Sequence, residues 1–152
     1  MALLLGVLTA CASESQSGAQ SCLDLAKKEN NILRKSIEKS LPREVISIDD
    51  MNGCDSSNNG AWLSVNVNIG VSKEEIIEGF EKAGWSSNVK SLNKCGDFCS
   101  ADLAKKAANR VIGISISENK AIEGGRGNVW EVIVSSLDGC WDDNGYRCDG
   151  PS

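Results

Sequence analysis

The chain has 152 residues and a formal net charge of −5, with its acidic and basic residues interspersed along the sequence. This pattern argues against a nucleic-acid partner, because such a partner requires a concentrated basic stripe. Once a short N-terminal segment is set aside, about 140 residues remain, which is the size of one domain with its own hydrophobic core.

The N-terminal segment is an uncharged apolar run that ends in small residues and a cysteine. The run has the length of the apolar part of a secretory signal and is too short to span a membrane. Its end, Leu8-Thr9-Ala10-Cys11, resembles the bacterial lipobox, in which the cysteine thiol is acylated and becomes the mature N-terminus. The resemblance implies a signal peptide over residues 1–10, a covalent lipid on Cys11, and anchorage in the lipid bilayer at the outer face of the bacterial cytoplasmic membrane.

Two features of this segment leave alternatives open. No Lys or Arg lies between Met1 and the apolar run, whereas signal peptides usually carry a positive charge there. A true start site further upstream would explain this difference. In addition, Ala10-Cys11-Ala12 satisfies the small-x-small rule of an ordinary secretion signal.

The seven cysteines give an independent reason to expect export. Disulfides persist outside reducing compartments, and an odd number of cysteines leaves one without an intramolecular partner. A structural metal site is not expected, because Cys95 and Cys99 lack CxxC spacing and the chain has no histidine. If Cys11 carries lipid, the cysteines that remain for disulfides are Cys22, Cys54, Cys95, Cys99, Cys140 and Cys148.

The stretch after the lipobox is small and polar, and it predicts a flexible tether over residues 11–20 ahead of a single extracytoplasmic domain over residues 21–152. Residues 21–24 have the spacing of a capping box, and Pro42 stops any helix that begins there. We therefore expect a first helix from about 22 to 40. Its apolar stripe consists of Leu25, Ile32, Leu33, Ile37 and Leu41.

Two strands and a second helix follow. Residues 45–48 form a β-rich run that ends near the turn signal Asn52-Gly53, and apolar residues from Leu63 to Ile69 alternate with polar ones. This alternation predicts a half-buried strand of an antiparallel sheet. The capping box that begins at Ser72 and the glycine at position 84 predict the limits of the second helix.

The second half of the chain repeats this order. Residues 101–108 are Ala-rich and predict a short helix, and alternating residues over 111–117 and 129–135 predict a hairpin with Trp130 on its core side. The order of elements predicts an α+β two-layer sandwich. In this fold, an antiparallel sheet of about four strands carries the helices on one face and is stapled by disulfides.

The same order resembles that of small secreted lipoproteins of Actinobacteria. In those proteins a cysteine-bearing helix and strand are followed by a helix that ends in Gly-Trp, here Gly84-Trp85. The resemblance implies a secreted lipoprotein of unknown function.

Geometry ranks the disulfide pairings, although six cysteines allow fifteen of them. The first helix spans about 27 Å, and the strand over residues 43–54 runs back antiparallel to it over about 36 Å. The strand therefore brings Cys54 near the start of the helix, which predicts a Cys22–Cys54 disulfide. A small hairpin around residues 143–145 would set Cys140 opposite Cys148, and Cys95–Cys99 would close locally. A crossed pairing such as Cys95–Cys140 is left open.

A contact surface for a partner is expected on the polar side of the sheet. Trp62 falls on that side by parity, and with Trp141 it can stack on a sugar or on a protein ligand. The small polar residues of this side suit an extended ligand or partner strand, and equally suit a merely solvated sheet face. They are Ser64, Asn66, Asn68, Ser115, Ser117 and Glu131.

Catalysis and metal binding lack a recognisable motif. The chain has no histidine, no Gly-x-Ser-x-Gly elbow and no phosphate loop, and Asp49 and Asp50 would point to opposite faces of a strand. An acidic cluster near the C-terminus lacks the spacing of a calcium loop, and turn formation explains it. Its members are Asp138, Asp142, Asp143, Asn144 and Asp149.

The sequence therefore predicts a membrane-anchored binding or accessory module that is not an enzyme and that uses no metal or cofactor. Its ligand would be a component of the cell envelope or a protein. The alternative is a cell-envelope hydrolase that uses a pair of carboxylates.

Overall fold

The computed structural model describes residues 14–55, 60–88, 101–107, 110–119, 128–138, 141–142 and 145–146. Within these ranges, five strands form one antiparallel sheet in the order β1-β2-β5-β4-β3, and two short strands, β6 and β7, form a separate ribbon. The elements are α1 (Glu14–Ile37), β1 (Val45–Asn52), β2 (Ala61–Asn68), α2 (Lys73–Lys82), β3 (Leu103–Ala107), β4 (Arg110–Asn119), β5 (Val129–Ser136), β6 (Trp141–Asp142) and β7 (Gly145–Tyr146).

The sheet packs one face against both helices, which confirms the predicted α+β architecture. Alternate residues of each central strand are buried, as the two-residue period of a strand requires. Both helices contribute side chains to the same hydrophobic core. Its fully buried members include Leu33 and Ile37 of α1, Ile76 and Phe80 of α2, Leu63, Val65 and Val67 of β2, Ile112 and Ile114 of β4, and Val132 and Val134 of β5.

The expectation of about four strands is wrong, because the sheet has a fifth strand, β3, where residues 101–108 were predicted to be helical. β3 pairs with β4 from Leu103 opposite Ile114 to Ala107 opposite Arg110. Leu103 and Ala104 are buried in this arrangement. Helix propensity differs by less than about 1 kcal/mol per residue, so burial and ladder hydrogen bonds outweigh the preference of Ala and Lys for a helix.

The first helix is longer at its N-terminus than its sequence predicts. α1 begins at Glu14 rather than near 22, so the predicted capping box at Ser21 lies inside it, and residues 14–20 of the expected flexible tether are helical. Once a helix is nucleated, each further residue adds a hydrogen bond at little cost, and the stretch contains no proline. α1 ends at Ile37, and a turn occupies residues 38–40.

The second helix confirms the sequence prediction. The Glu75 amide donates to Ser72 Oγ at 3.2 Å, and the Ser72 amide donates to Glu75 Oε2 at 2.8 Å, which completes the capping box. The hydrogen bonds that the Glu75 carboxylate accepts from the Ser72 amide and from Ser72 Oγ lower the pKa of Glu75. Gly84 follows the helix with a φ of 86°, a conformation that favours glycine.

Trp85, for which no structure was predicted, joins the second helix to the turn after the first. It is buried, and its Nε1 donates to Ser40 Oγ at 3.0 Å. Its ring meets that of Phe80 edge to face, with 5.2 Å between ring centroids. This contact fixes the C-terminal end of α2 against the residues that follow α1.

The central strands confirm the predicted alternation with one exception. β4 and β5 form the expected hairpin, from Ile112 opposite Ser136 to Asn119 opposite Val129. The exception is Ile69, predicted to face the core, which is 41% exposed because β2 ends one residue earlier, at Asn68.

One disulfide lies within the described residues and confirms a predicted pairing. Cys22 of α1 is bonded to Cys54, which follows β1, with 5.8 Å between their Cα atoms. Trp141 pairs with Tyr146 and Asp142 pairs with Gly145, which confirms a small hairpin in this segment. Its register differs by one residue from the predicted one, because Gly145 belongs to β7 and not to the turn. The cysteines at positions 95, 99, 140 and 148 lie outside the described residues.

Replacing both Cys22 and Cys54 by serine should reduce the free energy of unfolding by about 2–5 kcal/mol, because the unfolded chain is no longer cross-linked. The loss is measured by urea denaturation followed by circular dichroism. An unchanged unfolding midpoint would show that the bridge does not stabilise the domain.

Candidate functional site

The face of the sheet opposite the helices gathers the side chains that the sequence pointed to. We call it the open face, since neither described helix packs on it. Its rows follow the strand register, because residues opposite one another in an antiparallel pair share a face. They are Met51, Trp62 and Ser135; then Asp49, Ser64, Ile133 and Ser115; then Ser47, Asn66, Glu131 and Ser117.

Hydrogen bonds join the polar residues of the open face across three strands. Ser64 Oγ donates to Glu131 Oε1 at 2.8 Å, and Asn66 Nδ2 donates to Ser47 Oγ at 3.0 Å. Ser47 Oγ in turn donates to Asp49 Oδ2, also at 3.0 Å. Ser64, Asn66 and Ser47 thus each direct a donor to a neighbour on the face, while the carboxylates of Asp49 and Glu131 keep further lone pairs that can accept hydrogen bonds from a ligand.

Trp62 forms an apolar end to this acceptor surface. Its side chain is partly exposed, and it lies across the strand pair from Met51, which is 38% exposed. A partly exposed indole beside acceptor oxygens is suited to stack on the apolar face of a sugar while hydroxyl groups of that sugar donate hydrogen bonds.

A glycine limits the open face on the far side of Trp62. A Cβ added to Gly113 would lie 2.5 Å from Leu137 Cδ1 and 3.0 Å from the Ala101 side chain. Leu137 is held there by its amide, which donates to the Val111 carbonyl at 2.7 Å. Leu137 and Ala101 therefore cover the sheet at Gly113, which is the β4 end of the row that contains Trp62 and Ser135.

The residues predicted to contact a partner are only partly brought together. Trp62, Ser64 and Asn66 share the open face, but Ser64 is buried there, with only 8% of its surface exposed. The side chain of Asn68 accepts a hydrogen bond from the Gly70 amide at 2.8 Å and so serves the turn after β2. Trp141 lies in β6, and its side chain is outside the described part. Partner binding by these residues stays a prediction.

The two adjacent carboxylates of β1 point to opposite faces, as expected. Asp49 lies on the open face beside Ser47, whereas Asp50 faces the helices and accepts a hydrogen bond from Arg34 Nη2 at 2.6 Å. Asp49 and Asp50 therefore do not converge on one substrate.

Sequence reasoning missed a buried ion cluster at the end of the helix face. Arg110, at the start of β4, donates from Nη1 and Nη2 to the two carboxylate oxygens of Glu29 at 2.9 and 2.8 Å. Its Nε donates to Asp138, and Ser136 donates to Glu29. The side chains of Glu29 and Arg110 are only 1% and 11% exposed. One guanidinium thus holds two carboxylates from different parts of the chain.

The electrostatics of this cluster depend on that pairing. Burial acts to lower the pKa of Arg110, but the hydrogen bonds and negative charges of Asp138 and Glu29 outweigh burial and raise the pKa above its ordinary value. Asp138, which the sequence placed in an acidic cluster, is therefore bound to a guanidinium. Within the described residues, no group of three or more His, Cys, Asp or Glu residues is arranged to hold a metal ion.

A signal for Glu29 was present in the sequence. Together with Asn30 it precedes Leu33 by four and three residues, which places both polar residues on the buried stripe of α1. The identity of the partner could not be read in the same way, because Glu29 and Arg110 are 81 residues apart.

Comparison with known proteins adds no identification. No protein-family model, curated protein or solved structure matches the chain. None of the helices in the described ranges is long and apolar enough to cross a membrane. Function must therefore be argued from the residues themselves.

Replacing Arg110 by methionine should reduce the free energy of unfolding by about 3–5 kcal/mol, because it leaves the Glu29 carboxylate buried without its partner. Replacing Glu29 and Arg110 together by methionine should cost less than the single change, because no unpaired charge remains at that position. Urea denaturation of both variants measures the difference.

The matched control is Arg34→Ala, which removes an ion pair whose side chains are 40% and 53% exposed. An exposed pair contributes less than about 1 kcal/mol. Equal losses for Arg34→Ala and Arg110→Met would contradict a special role for the buried cluster.

Proposed function

We propose that the protein is a lipid-anchored extracytoplasmic lipoprotein whose domain is a non-enzymatic binding or accessory module. The observation that carries the proposal is the open face, where Trp62 and Met51 lie beside a row of acceptor oxygens that neither described helix covers. The ligand class with matching chemistry is an extended glycan of the cell envelope, which offers both apolar sugar faces and donor hydroxyls.

Two observations support the extracytoplasmic address. The Cys22–Cys54 disulfide is a bond that persists outside reducing compartments. The segment that ends at Cys11 has the lipobox pattern, and an acylated cysteine with more than one chain anchors a protein firmly. Because α1 begins at Glu14, the anchored domain would be joined to the lipid by a short connection rather than by a ten-residue flexible tether.

A carboxylate-dependent envelope hydrolase is the second candidate. Asp49 and Glu131 share the open face, on strands separated by β2. Both carboxylates face the surface that would contact a glycan, although each accepts a hydrogen bond from a serine hydroxyl. A hydrolase needs two such groups on either side of the scissile bond.

Replacing Cys11 by serine should release the protein from the membrane fraction or leave its signal uncleaved, because the thiol that carries the lipid is lost. Fractionation of cells and mass spectrometry of the mature N-terminus measure this. The Cys22–Cys54 bridge should still form in the variant. A wild-type N-terminus without lipid would contradict the anchor and favour ordinary secretion.

Replacing Trp62 by alanine should weaken binding to insoluble cell-wall glycan by about 2 kcal/mol, roughly 30-fold, because the stacking surface is removed. Co-sedimentation of the purified protein with the glycan measures the change. Ile69→Ala is the control, since Ile69 is also an exposed apolar residue of this region but lies beyond the end of β2. Equal binding by the two variants would count against the open face.

The hydrolase alternative is separated from binding by product formation. If Asp49 and Glu131 cleave glycan, the wild-type protein should release soluble reducing ends, and Asp49→Asn or Glu131→Gln should abolish the release while leaving co-sedimentation in place. Release of no reducing ends by the wild-type protein would remove this candidate.

A further inference from the structure

A cleft with a concentrated positive charge lies between the C-terminal ends of the two helices and the edge strand β3. Its volume is about 550 Å3, within the range of small-molecule sites. The residues that line it are four lysines and four small residues: Lys35, Lys39, Lys82, Lys105, Ser36, Gly79, Ala83 and Ala107. No carboxylate is among them, although the chain as a whole has a net charge of −5.

The fold brings these lysines together from three separate elements. Lys35 lies in the last turn of α1 and Lys39 in the turn that follows it, Lys82 is the last residue of α2, and Lys105 lies in β3. α2 closely approaches the turn after α1 here, since a Cβ added to Gly79 would lie 3.4 Å from the Ser40 carbonyl oxygen. The cleft is therefore built by the packing of α2 against the turn after α1, and it lies on the side of the sheet opposite the open face.

The four lysines differ in the hydrogen bonds and ion pairs that they make within the protein. Lys105 Nζ donates to the Ala83 carbonyl at 2.6 Å, and Lys82 pairs with Glu78 at 2.7 Å through exposed side chains. Lys35 and Lys39 have no hydrogen bond or ion pair in the part of the chain that the structure describes. Two ammonium groups thus stand free at the cleft, and an exposed pair such as that of Lys82 exchanges partners at little cost.

The C-terminal dipole of a helix attracts cations, and this effect explains Lys105, which binds a terminal carbonyl of α2. The helix dipole does not explain why four lysines surround one cleft, because their positive charges repel one another there. A bound anion would relieve that repulsion.

We propose that this cleft binds a multiply charged phosphate group, either of a free phosphorylated compound or of a phosphate-bearing polymer. A phosphate monoester carries about −1.5 to −2 charges at neutral pH, so it supplies more negative charge in a small volume than a carboxylate does. Lysine ammonium groups bind such anions as point charges and do not demand the planar geometry that arginine does.

The position of the cleft bears on the source of the phosphate. Lys35 lies 21 residues beyond Glu14 along α1, a rise of about 32 Å. If the N-terminus is anchored, the cleft lies well away from the headgroups next to Cys11. A ligand from the surroundings of the domain is therefore expected, and the inference does not otherwise depend on the lipid anchor or on glycan binding by the open face.

The test is a titration of the purified protein with sodium tripolyphosphate at physiological ionic strength, followed by calorimetry and by amide chemical shifts. The shifts should be confined to residues 35–39, 79–84 and 105–107. Replacing Lys35 and Lys39 by alanine should weaken the affinity by about tenfold or more, because the two free ammonium groups are removed.

The matched control is the double change Lys27→Ala and Lys28→Ala, which removes the same charge from exposed positions of the same helix outside the cleft. It should change the affinity by less than about twofold. Equal losses in the two double variants, or shifts spread over the whole surface, would overturn the proposal, because both indicate general attraction of charge rather than a site.

Long-chain polyphosphate distinguishes the two sources. If the affinity per phosphate group rises with the length of the polyphosphate chain, the ligand is a polymer. If tripolyphosphate binds as tightly per phosphate group as long-chain polyphosphate does, the ligand is a free compound. Absence of binding by either probe overturns the site. None of these outcomes depends on Trp62, so failure here is distinct from failure of the open face.

Discussion

The arrangement of the whole domain depends on how α1 is fixed to the sheet. Glu29 points into the interior from α1, and Arg110 of β4 binds both of its carboxylate oxygens. A buried carboxylate without a partner costs several kcal/mol, so α1 is stable only in the position that brings Glu29 to Arg110. The exposed pair between Arg34 and Asp50 contributes far less to this choice, since water screens it. The disulfide at Cys22 holds the same helix nearer its N-terminus.

Because the helices pack on only one face of the sheet, its two faces contribute differently to the protein. The face beneath the helices contains the apolar core, which supplies most of the stability through burial. The open face keeps its strands in place by backbone ladders and by side-chain hydrogen bonds such as that of Ser64 with Glu131. The more exposed residues of the open face, such as Met51 and Trp62, are consequently under weaker packing constraint than the core residues.

The helix side also creates the lysine cleft, because the contacts of Trp85 with Phe80 and Ser40 fix the end of α2 beside the turn after α1. The cleft and the open face therefore lie on opposite sides of one rigid layer. The ligands proposed for the two surfaces would therefore not compete for the same side chains. The two surfaces differ in chemistry, since one presents cations and the other presents acceptor oxygens beside an indole.

Local signals were sufficient wherever a segment's own residues decide its structure. The capping box at Ser72 and the glycine at position 84 fixed both ends of α2, and period-two alternation identified the buried sides of β2, β4 and β5. Even the pairing of Cys22 with Cys54 followed from the lengths of a helix and a strand. The ends of α2 and the buried sides of the strands depend on a repeat or on contacts between nearby residues, whereas the disulfide joins residues 32 positions apart at the two ends of one helix–strand unit.

The remaining features depend on contacts that no local pattern encodes. β3 was mistaken for a helix because its alanines and lysines favour one, and only pairing with β4 makes the segment extended. The helical start at Glu14 likewise reflects extension of a packed helix beyond the capping box predicted at Ser21. The sequence by itself thus determined the α+β class and the core stripes of the central strands. Tertiary structure decided the fifth strand, the partner of Glu29 and the convergence of four lysines. Each of these features brings together residues that are distant in the chain, and the local propensity of one segment carries no information about its distant partner.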